Sequence, residues 1–322
     1  MRALTFAVLK RLSDGEFHSG EALAQCLDVS RASIWNALNE AVECGVELAR
    51  VHGRGYRLTG GLNWLDAERI GAAVGNRGLI VRVVDECGST NAELLRAAEA
   101  GAQSGEVLAA ELQTQGRGRL GRTWHSGLGS SLTFSLLWRF HKSMASLGGL
   151  SLAVGLGVAR ALTACGVDVG LKWPNDLLWQ SRKLGGILIE VRGDSLGPCA
   201  AVIGIGLNVR LPQAVKSRID QPAADLADAG AELASRTDVL IAALGALSQV
   251  LVEFDRDGFA PLRPEWLRHH AHQDREVTLS SPDGSTVHGV ARGVDEHARL
   301  LLETESGVRA IHTGDVTLRA VR

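Results

Sequence analysis

No uncharged apolar run of the chain is long enough to cross a bilayer. Its longest uncharged apolar stretch, residues 144–159, carries four glycines and falls short of the roughly 20 residues a spanning helix needs. It reads instead as a buried helix lying against a sheet. A secretory leader is not expected either, because Lys10, Arg11, Asp14 and Glu16 interrupt the first apolar stretch. The five cysteines (Cys26, Cys44, Cys87, Cys165, Cys199) are scattered and contain no C-x-x-C pair. That argues against a disulfide frame or a zinc site and for reduced thiols. There is no large excess of one charge: a net charge of -2 excludes a surface generally coated by nucleic acid but leaves room for a local basic face. Internal repeats, low-complexity tracts and long linkers are missing as well. What remains is a soluble, cytoplasmic globular protein without membrane contact, whose 322 residues suffice for two or three domains.

The first 60 residues show helical periodicity and then a hairpin. Leu4, Val8, Leu9 and Leu12 mark one helix, and Ser19 precedes a second at 21–27. Asp28 and Val29 make a turn, and Ser30 can cap a third helix running to about Cys44. Residues 47–58 read as two short strands around His52, Gly53, Arg54 and Gly55. This is a winged helix-turn-helix, a unit that places its second motif helix in the DNA major groove. Asp28 stands where glycine is common, and aspartate tolerates the left-handed backbone better than most residues. Seven Lys/Arg balance seven Asp/Glu in residues 1–60, so a monomer would bind DNA weakly and profit from pairing. Arg31, Ser33, Asn36 and Asn39 on the third helix, with Arg50, His52, Arg54 and Arg57 on the wing, are the candidate DNA contacts.

Residues 66–270 read as one α/β unit. Strands are expected at 79–84, 107–112, 132–138, 170–173, 187–191 and 200–207, with helices at 92–100, 147–165 and 239–254. Hairpins mix with single helices, so the sheet is expected to be mixed, with helices packed on it. Residues 274–322 carry short strands at 277–279, 287–293, 299–303, 308–312 and 316–320, with a turn at Ser281-Pro282-Asp283-Gly284; this reads as a small β-barrel.

The richest segment runs from Gln113 to Trp124, where Gly116, Gly118 and Gly121 interleave with Arg117, Arg119 and Arg122. Glycine permits close backbone approach, and arginine matches phosphate or carboxylate. The loop is therefore a candidate clamp for a small anion, with the Trp124 indole free to stack on something flat. The three glycines also satisfy G-x-G-x-x-G, but that fingerprint needs a helix opening at the loop and an acid about 20 residues on. Neither is present, so the Rossmann reading fails.

Four further blocks accompany the loop: Glu86-Cys87-Gly88-Ser89-Thr90-Asn91, Lys172-Trp173-Pro174-Asn175-Asp176, Arg182 to Glu190, and Gly204-Ile205-Gly206-Leu207-Asn208-Val209. In this order and spacing the five blocks resemble the biotin protein ligases. With the N-terminal domain, the resemblance extends over nearly the whole chain, to the bifunctional ligase/repressor branch. It implies a winged helix at 1–62, a class II synthetase-like catalytic domain at 66–270 and an SH3-like domain at 274–322. It also implies biotin and ATP as substrates with Mg²⁺, a biotin carboxyl carrier protein of acetyl-CoA carboxylase as acceptor, and a DNA operator bound by an adenylate-induced homodimer.

By resemblance, Arg117, Gly118 and Arg119 contact biotin and the adenylate phosphate, and Lys183 sits between carboxylate and phosphate. Ser89, Thr90, Asn91 and Gln113 serve the ureido ring, Trp124 walls the adenine side, and Asn175 and Asn208 are adenine contacts. Asp176 is the acid for magnesium or for the incoming amine. Blander readings stand beside these. Ser89 to Asn91 can cap a helix, Lys172 and Trp173 can be plain strand residues, Pro174 to Asp176 a turn, and Gly204 and Gly206 aids to strand packing. His269, His270 and His272 read as the solvated end of a helix rather than a metal cluster. The rivals are a ligase that no longer represses, a lipoate ligase or octanoyl transferase, and a biotin sensor without catalysis.

Overall fold

In the computed structural model, which describes residues 1–193, 197–230, 235–281, 284–312 and 317–320, the first element is helix α1 (Ala3–Arg11). It packs on α2 (Gly20–Cys26) and α3 (Arg31–Glu43) around Phe6, Leu9, Leu12, Leu23, Ile34 and Leu38. The caps are those the serines suggested: Ser19 accepts the Ala22 N–H at 3.0 Å and Ser30 the Ser33 N–H at 3.1 Å. Asp28, in the turn between α2 and α3, is left-handed at φ 52°. The wing is the antiparallel pair β1 (Leu48–Val51) and β2 (Gly55–Leu58). Gly55 (φ 102°) is required there, because a Cβ would lie 2.1 Å from the His18 carbonyl.

The central unit begins with α4 (Ala67–Val74), an amphipathic helix that periodicity did not single out. There follow β3 (Ile80–Cys87), α5 (Thr90–Glu99), β4 (Glu106–Gln113), β5 (Ser131–Phe140), α6 (Leu150–Ala164), β6 (Gly170–Lys172), β7 (Asp176–Trp179), β8 (Arg182–Gly193) and β9 (Cys199–Asn208). Then come α7 (Gln213–Lys216), α8 (Arg236–Asp257) and α9 (Arg263–Arg268). The seven strands lie in the order β3-β4-β5-β9-β8-β7-β6. β3 and β4 are parallel and the other pairs antiparallel, giving the mixed sheet expected.

Alternation along the strands sorts side chains to two faces. Val107, Ala109, Leu136, Ala201 and Ile203 join the large core under α6 and α8, while Leu108, Leu137 and Val202 meet Leu94 and Leu95 of α5 on the other side. The helix expected at 147–165 begins only at Leu150, because Gly149 is left-handed at φ 89° and a short 3₁₀ turn precedes it. α8 is long and apolar enough to cross a membrane by composition, but its apolar face is buried against α6. At their contact Gly157 of α6 leaves room for Val250 of α8, which a Cβ would meet at 2.8 Å.

The C-terminal strands β10 (Glu276–Ser280), β11 (Thr286–Val294), β12 (Leu300–Thr304), β13 (Gly307–Ile311) and β14 (Thr317–Ala320) form an antiparallel sheet in the order β13-β12-β11-β10-β14. Pro282 and Asp283 of the expected turn and Val316 of the last expected strand lie outside the described residues. Val277, Leu279, Leu300 and Leu302 share the large core with the central sheet.

The chain ahead of β10 is bound to the edge strand β6: Leu171 N–H donates to His269 O at 2.7 Å and Ala271 N–H to Leu171 O at 2.9 Å. The indole of Trp173 donates to Ala298 O at 3.1 Å. The expectation of a solvated histidine face is corrected here. His270 and His272 are each 6% exposed, because the segment is folded against β6 instead of ending a helix in water. Burial pushes the His272 imidazole down to about 4, with nearby Lys172 adding to the shift.

The winged helix is tied to the central unit by polar contacts. Lys10 Nζ meets Asp85 at 2.6 Å, and the Trp64 indole donates to Ser13 Oγ at 2.6 Å. Arg236, fully buried, donates to Asn63 O at 2.7 Å and to Glu111 at 2.6 Å, and Glu111 also accepts the Leu65 N–H at 2.7 Å.

Candidate functional site

A cavity of about 510 Å³ opens at the ends of β4, β8 and β9. Most of its wall comes from five separated stretches of sequence: the start of α5, the glycine-arginine loop, the turn between β6 and β7, the start of β8, and β9. All twelve residues proposed for the ligand (Ser89, Thr90, Asn91, Gln113, Arg117, Gly118, Arg119, Trp124, Asn175, Asp176, Lys183, Asn208) line it.

One end is built from neutral polar groups. Ser89 caps α5, accepting the Ala92 N–H at 3.5 Å, so its capping and lining roles coincide. Gln113 Oε1 accepts the Thr90 N–H at 2.7 Å and its hydroxyl at 3.1 Å, which leaves the Gln113 amino group for a ligand. Ser135, at the sheet floor, donates to Asn91 Oδ1 at 2.6 Å. Asn91 Nδ2 donates to Leu188 O and to Glu190, so both amide hydrogens are used within the protein and only a lone pair of Oδ1 is left for a ligand.

The other end is charged. Register shifts between β7 and β8 at Leu177/Leu178, forming a bulge beside Lys183. The backbone of Lys183 is fixed from the opposite side, donating to Pro222 O at 2.8 Å and accepting from Ala224 at 2.9 Å. Lys183 Nζ lies 2.7 Å from Asp176 Oδ1, and Lys172 Nζ lies 3.7 Å from Oδ2. One carboxylate thus sits between two ammonium groups, and the trio is left with a net positive charge. Burial lowers the Lys172 pKa, with the Lys183 charge adding to the shift and Asp176 opposing it. Lys172, which the sequence left open as a plain strand residue, is therefore part of this charged end. Arg119 reaches the same turn through Asn175 Oδ1 at 3.3 Å.

Trp124 is placed differently from the free stacking ring expected. Its indole lies on the sheet, where a Cβ at Gly206 would stand 2.4 Å from the ring. Gly206 and Gly186 therefore form a flat floor, and Gly204 does the same for Asn91, whose Oδ1 a Cβ would meet at 2.1 Å. The glycines of β9 admit side chains from above rather than a neighbouring strand. Asn208 also braces Lys183. Its amino group donates to Lys183 O at 3.3 Å and Ala224 O at 3.0 Å, and only the buried Oδ1 is without a partner among the described residues.

The loop itself contains one 3₁₀ turn, Arg119–Gly121, with Leu120 at φ 56° and Gly121 at φ 70°. No helix opens there, as the failure of the dinucleotide fingerprint required. Residues 218–221 and Leu318 also line the cavity; neither carries a local sequence signal. Among the described residues no cluster of three metal-ligating side chains exists. A resident metal does not fit, whereas magnesium entering on nucleotide phosphates needs one or two carboxylates and keeps its waters. Asp176 and Asp220 are carboxylates that line the cavity.

The DNA candidates lie elsewhere. Arg31 and Asn36 are exposed on α3, while the Ser33 hydroxyl is held by Ser30 Oγ at 2.9 Å. Arg54 and Arg57 stack on Phe17 at 4.3 and 4.7 Å, and Arg50 donates to Asn39 at 2.8 Å. Trp35, which motif reasoning passed over, is 54% exposed on the same helix.

Three family models match the chain: an HTH domain over residues 5–57, the biotin/lipoate A/B protein ligase family over 86–208, and the biotin protein ligase C terminal domain over 272–319. The chain is 36% identical to the bifunctional ligase/repressor BirA of Escherichia coli, over 96% of this chain and 95% of that protein. It is 35% identical to the biotin–[acetyl-CoA-carboxylase] ligase of Mycobacterium tuberculosis, over 77% of this chain and 91% of that one. Among solved structures, the biotin protein ligase of Aquifex aeolicus in complex with biotin and ATP superposes with a TM-score of 0.65 at 30% identity, covering 75% of this chain and 99% of that one. All five motif blocks wall one cavity with a neutral polar end and a lysine end, and the similarity to biotin protein ligases extends over 96% of the chain: the chain belongs to the biotin protein ligase family.

Proposed function

We propose that the protein is an ATP-dependent biotin–protein ligase. In the first step a carboxylate oxygen of biotin attacks the α-phosphorus of ATP, forming biotinyl-5′-AMP and releasing pyrophosphate. In the second, a lysine ε-amine of a carrier domain attacks the acyl carbon, and AMP leaves. The observation that carries this reading is the pairing of a neutral polar end with a lysine-rich end inside one cavity.

Two anionic reactants must be brought together, and charge develops on phosphorus in the transition state; fixed cations answer both needs. Lys183, braced on both sides and anchored by Asp176, is the group for the junction of carboxylate and phosphate. Lys172 and Arg119 add charge at the same end. Ser89, Thr90, Asn91 and Gln113 hold the ureido ring, Trp124 and the glycine floor bound the adenine side, and Asn175 and Asn208 complete it. Asp176 receives the proton of the incoming amine or meets the magnesium of MgATP.

The acceptor is the biotin carboxyl carrier domain of acetyl-CoA carboxylase, and the division into residues 1–62, 66–270 and 274–322 is the domain organisation that accompanies this reading. The N-terminal unit adds repression: α3 enters the major groove, with Arg31 and Asn36 at base edges, Ser33 beside them and Arg54 on phosphate. Its balanced charge makes DNA binding depend on a homodimer formed with the adenylate. The test is pyrophosphate release by the purified protein with MgATP and biotin, against lipoate and no-acid controls. Biotin-dependent release is expected. Release with lipoate alone would move the assignment to the lipoate enzymes, and no release with either acid would leave a sensor.

A further inference from the structure

Glu190 stands behind the cavity wall rather than in it. Its Oε2 accepts the Asn91 Nδ2–H at 2.9 Å and the Arg117 Nη2–H at 3.1 Å, and its Oε1 lies 3.3 Å from the same Arg117 nitrogen. Beyond Asn91 the contacts continue: Ser135 Oγ lies 2.6 Å from Asn91 Oδ1 and 2.7 Å from Thr90 Oγ1, and Thr90 reaches Gln113 at 3.1 Å. A polar chain therefore joins the glycine-arginine loop to β4, and Glu190 is the one carboxylate within it.

Two consequences follow from chemistry alone. The Arg117 guanidinium meets Glu190 through a single nitrogen, which leaves its remaining N–H groups for a ligand while the charged plane is held in place. Glu190 also cancels the Arg117 charge at this end of the cavity, whereas the Lys172, Lys183 and Asp176 trio keeps a net positive charge at the other. A ligand with one neutral and one anionic end is thereby given a direction. We infer that Glu190 is a positioning residue of the biotin site, fixing Arg117 and Asn91 together and keeping the head end of the pocket neutral. The inference rests on the ligase reading. The Arg117–Glu190 pair is partly exposed and worth little by attraction alone, so its effect must appear as coupling between the residues.

The test is a double-mutant cycle read by titration calorimetry with biotin on the full chain. Glu190→Gln keeps the acceptor for Asn91 and removes the charge facing Arg117. It is expected to weaken biotin about 5- to 10-fold while changing the KM for ATP less than about 2-fold. In an Arg117→Ala background the same substitution should cost less than about 2-fold. Glu190→Asp, which keeps the charge, should fall between wild type and Glu190→Gln, and this arm stands even where the glutamine variant folds poorly. Equal losses in both backgrounds, or a loss for ATP as large as for biotin, would overturn the role. A wild type that binds no biotin would instead overturn the ligase reading and this role with it; biotin binding with an additive cycle would remove Glu190 alone.

Discussion

Lys183 and Asp176 are 2.7 Å apart, with side chains 18% and 13% exposed, so each is held by the other in a site poor in water. Lys183→Ala removes a fixed cation from the reacting centre and should lower kcat for pyrophosphate release about 10²- to 10³-fold. Arg119→Gly should loosen the hold on the adenylate, seen as biotin appearing on bystander proteins; a variant that neither leaks adenylate nor labels bystanders would refute the role given to Arg119. The floor makes a sharper demand. At Gly206 an added methyl meets the Trp124 ring at 2.4 Å, and a strand backbone cannot retreat. Gly206→Ala should raise the KM for ATP, and Trp124→Ala placed with it should add less than the two separate losses predict.

At the scale of elements, α3 presents Arg31, Trp35 and Asn36 to solvent while Ile34, Ala37 and Leu38 are buried. An exposed indole between two polar residues suits contact with thymine methyl groups. Trp35→Ala should therefore weaken operator binding with the salt slope unchanged, whereas Arg54→Ala should lower the slope by about one. Gel-shift titrations at several salt concentrations measure both. The winged helix and most central strands were legible because their signals are local, namely serine caps, period-3.6 leucines and alternating strands. The site's polar residues were legible as blocks, but their partners were not. Strand β9 lies between β5 and β8 in the sheet, and nothing in a local window states that order. The bulge beside Lys183 and the 218–221 wall depend on pairings made across the molecule. The histidines before β10 misled for the same reason: their burial comes from Leu171, about a hundred residues earlier.

For the whole molecule, the ion pair of Glu111 and Arg236, 2% and 0% exposed, fastens residues 63–65 to the central unit. Taking away one partner leaves a buried charge alone, so Glu111→Gln should destabilise by about 3 kcal/mol or more, read as a lowered denaturation midpoint. The histidines set a pH limit. Burial pushes the His272 pKa down to about 4, below the ordinary value of 6.5. The unfolded chain therefore takes up a proton that the folded chain refuses. Stability is complete above pH 6.5 and declines as pH falls towards 4, by up to about 1.4 kcal/mol per pH unit for one such group. His270 is lowered in the same direction by burial. His272→Gln should flatten that decline in thermal melts between pH 7 and 4.

Of the seven tryptophans in the sequence, Trp124 and Trp173 line the cavity, and the Trp124 ring lies 6.0 Å from the Lys183 ammonium. A charge so near an indole shifts its emission, and a phosphate arriving at the lysine would change that field. The molecule thus carries an intrinsic optical probe of its own reaction, and rapid-mixing fluorescence can follow adenylate formation and discharge in real time without any attached dye.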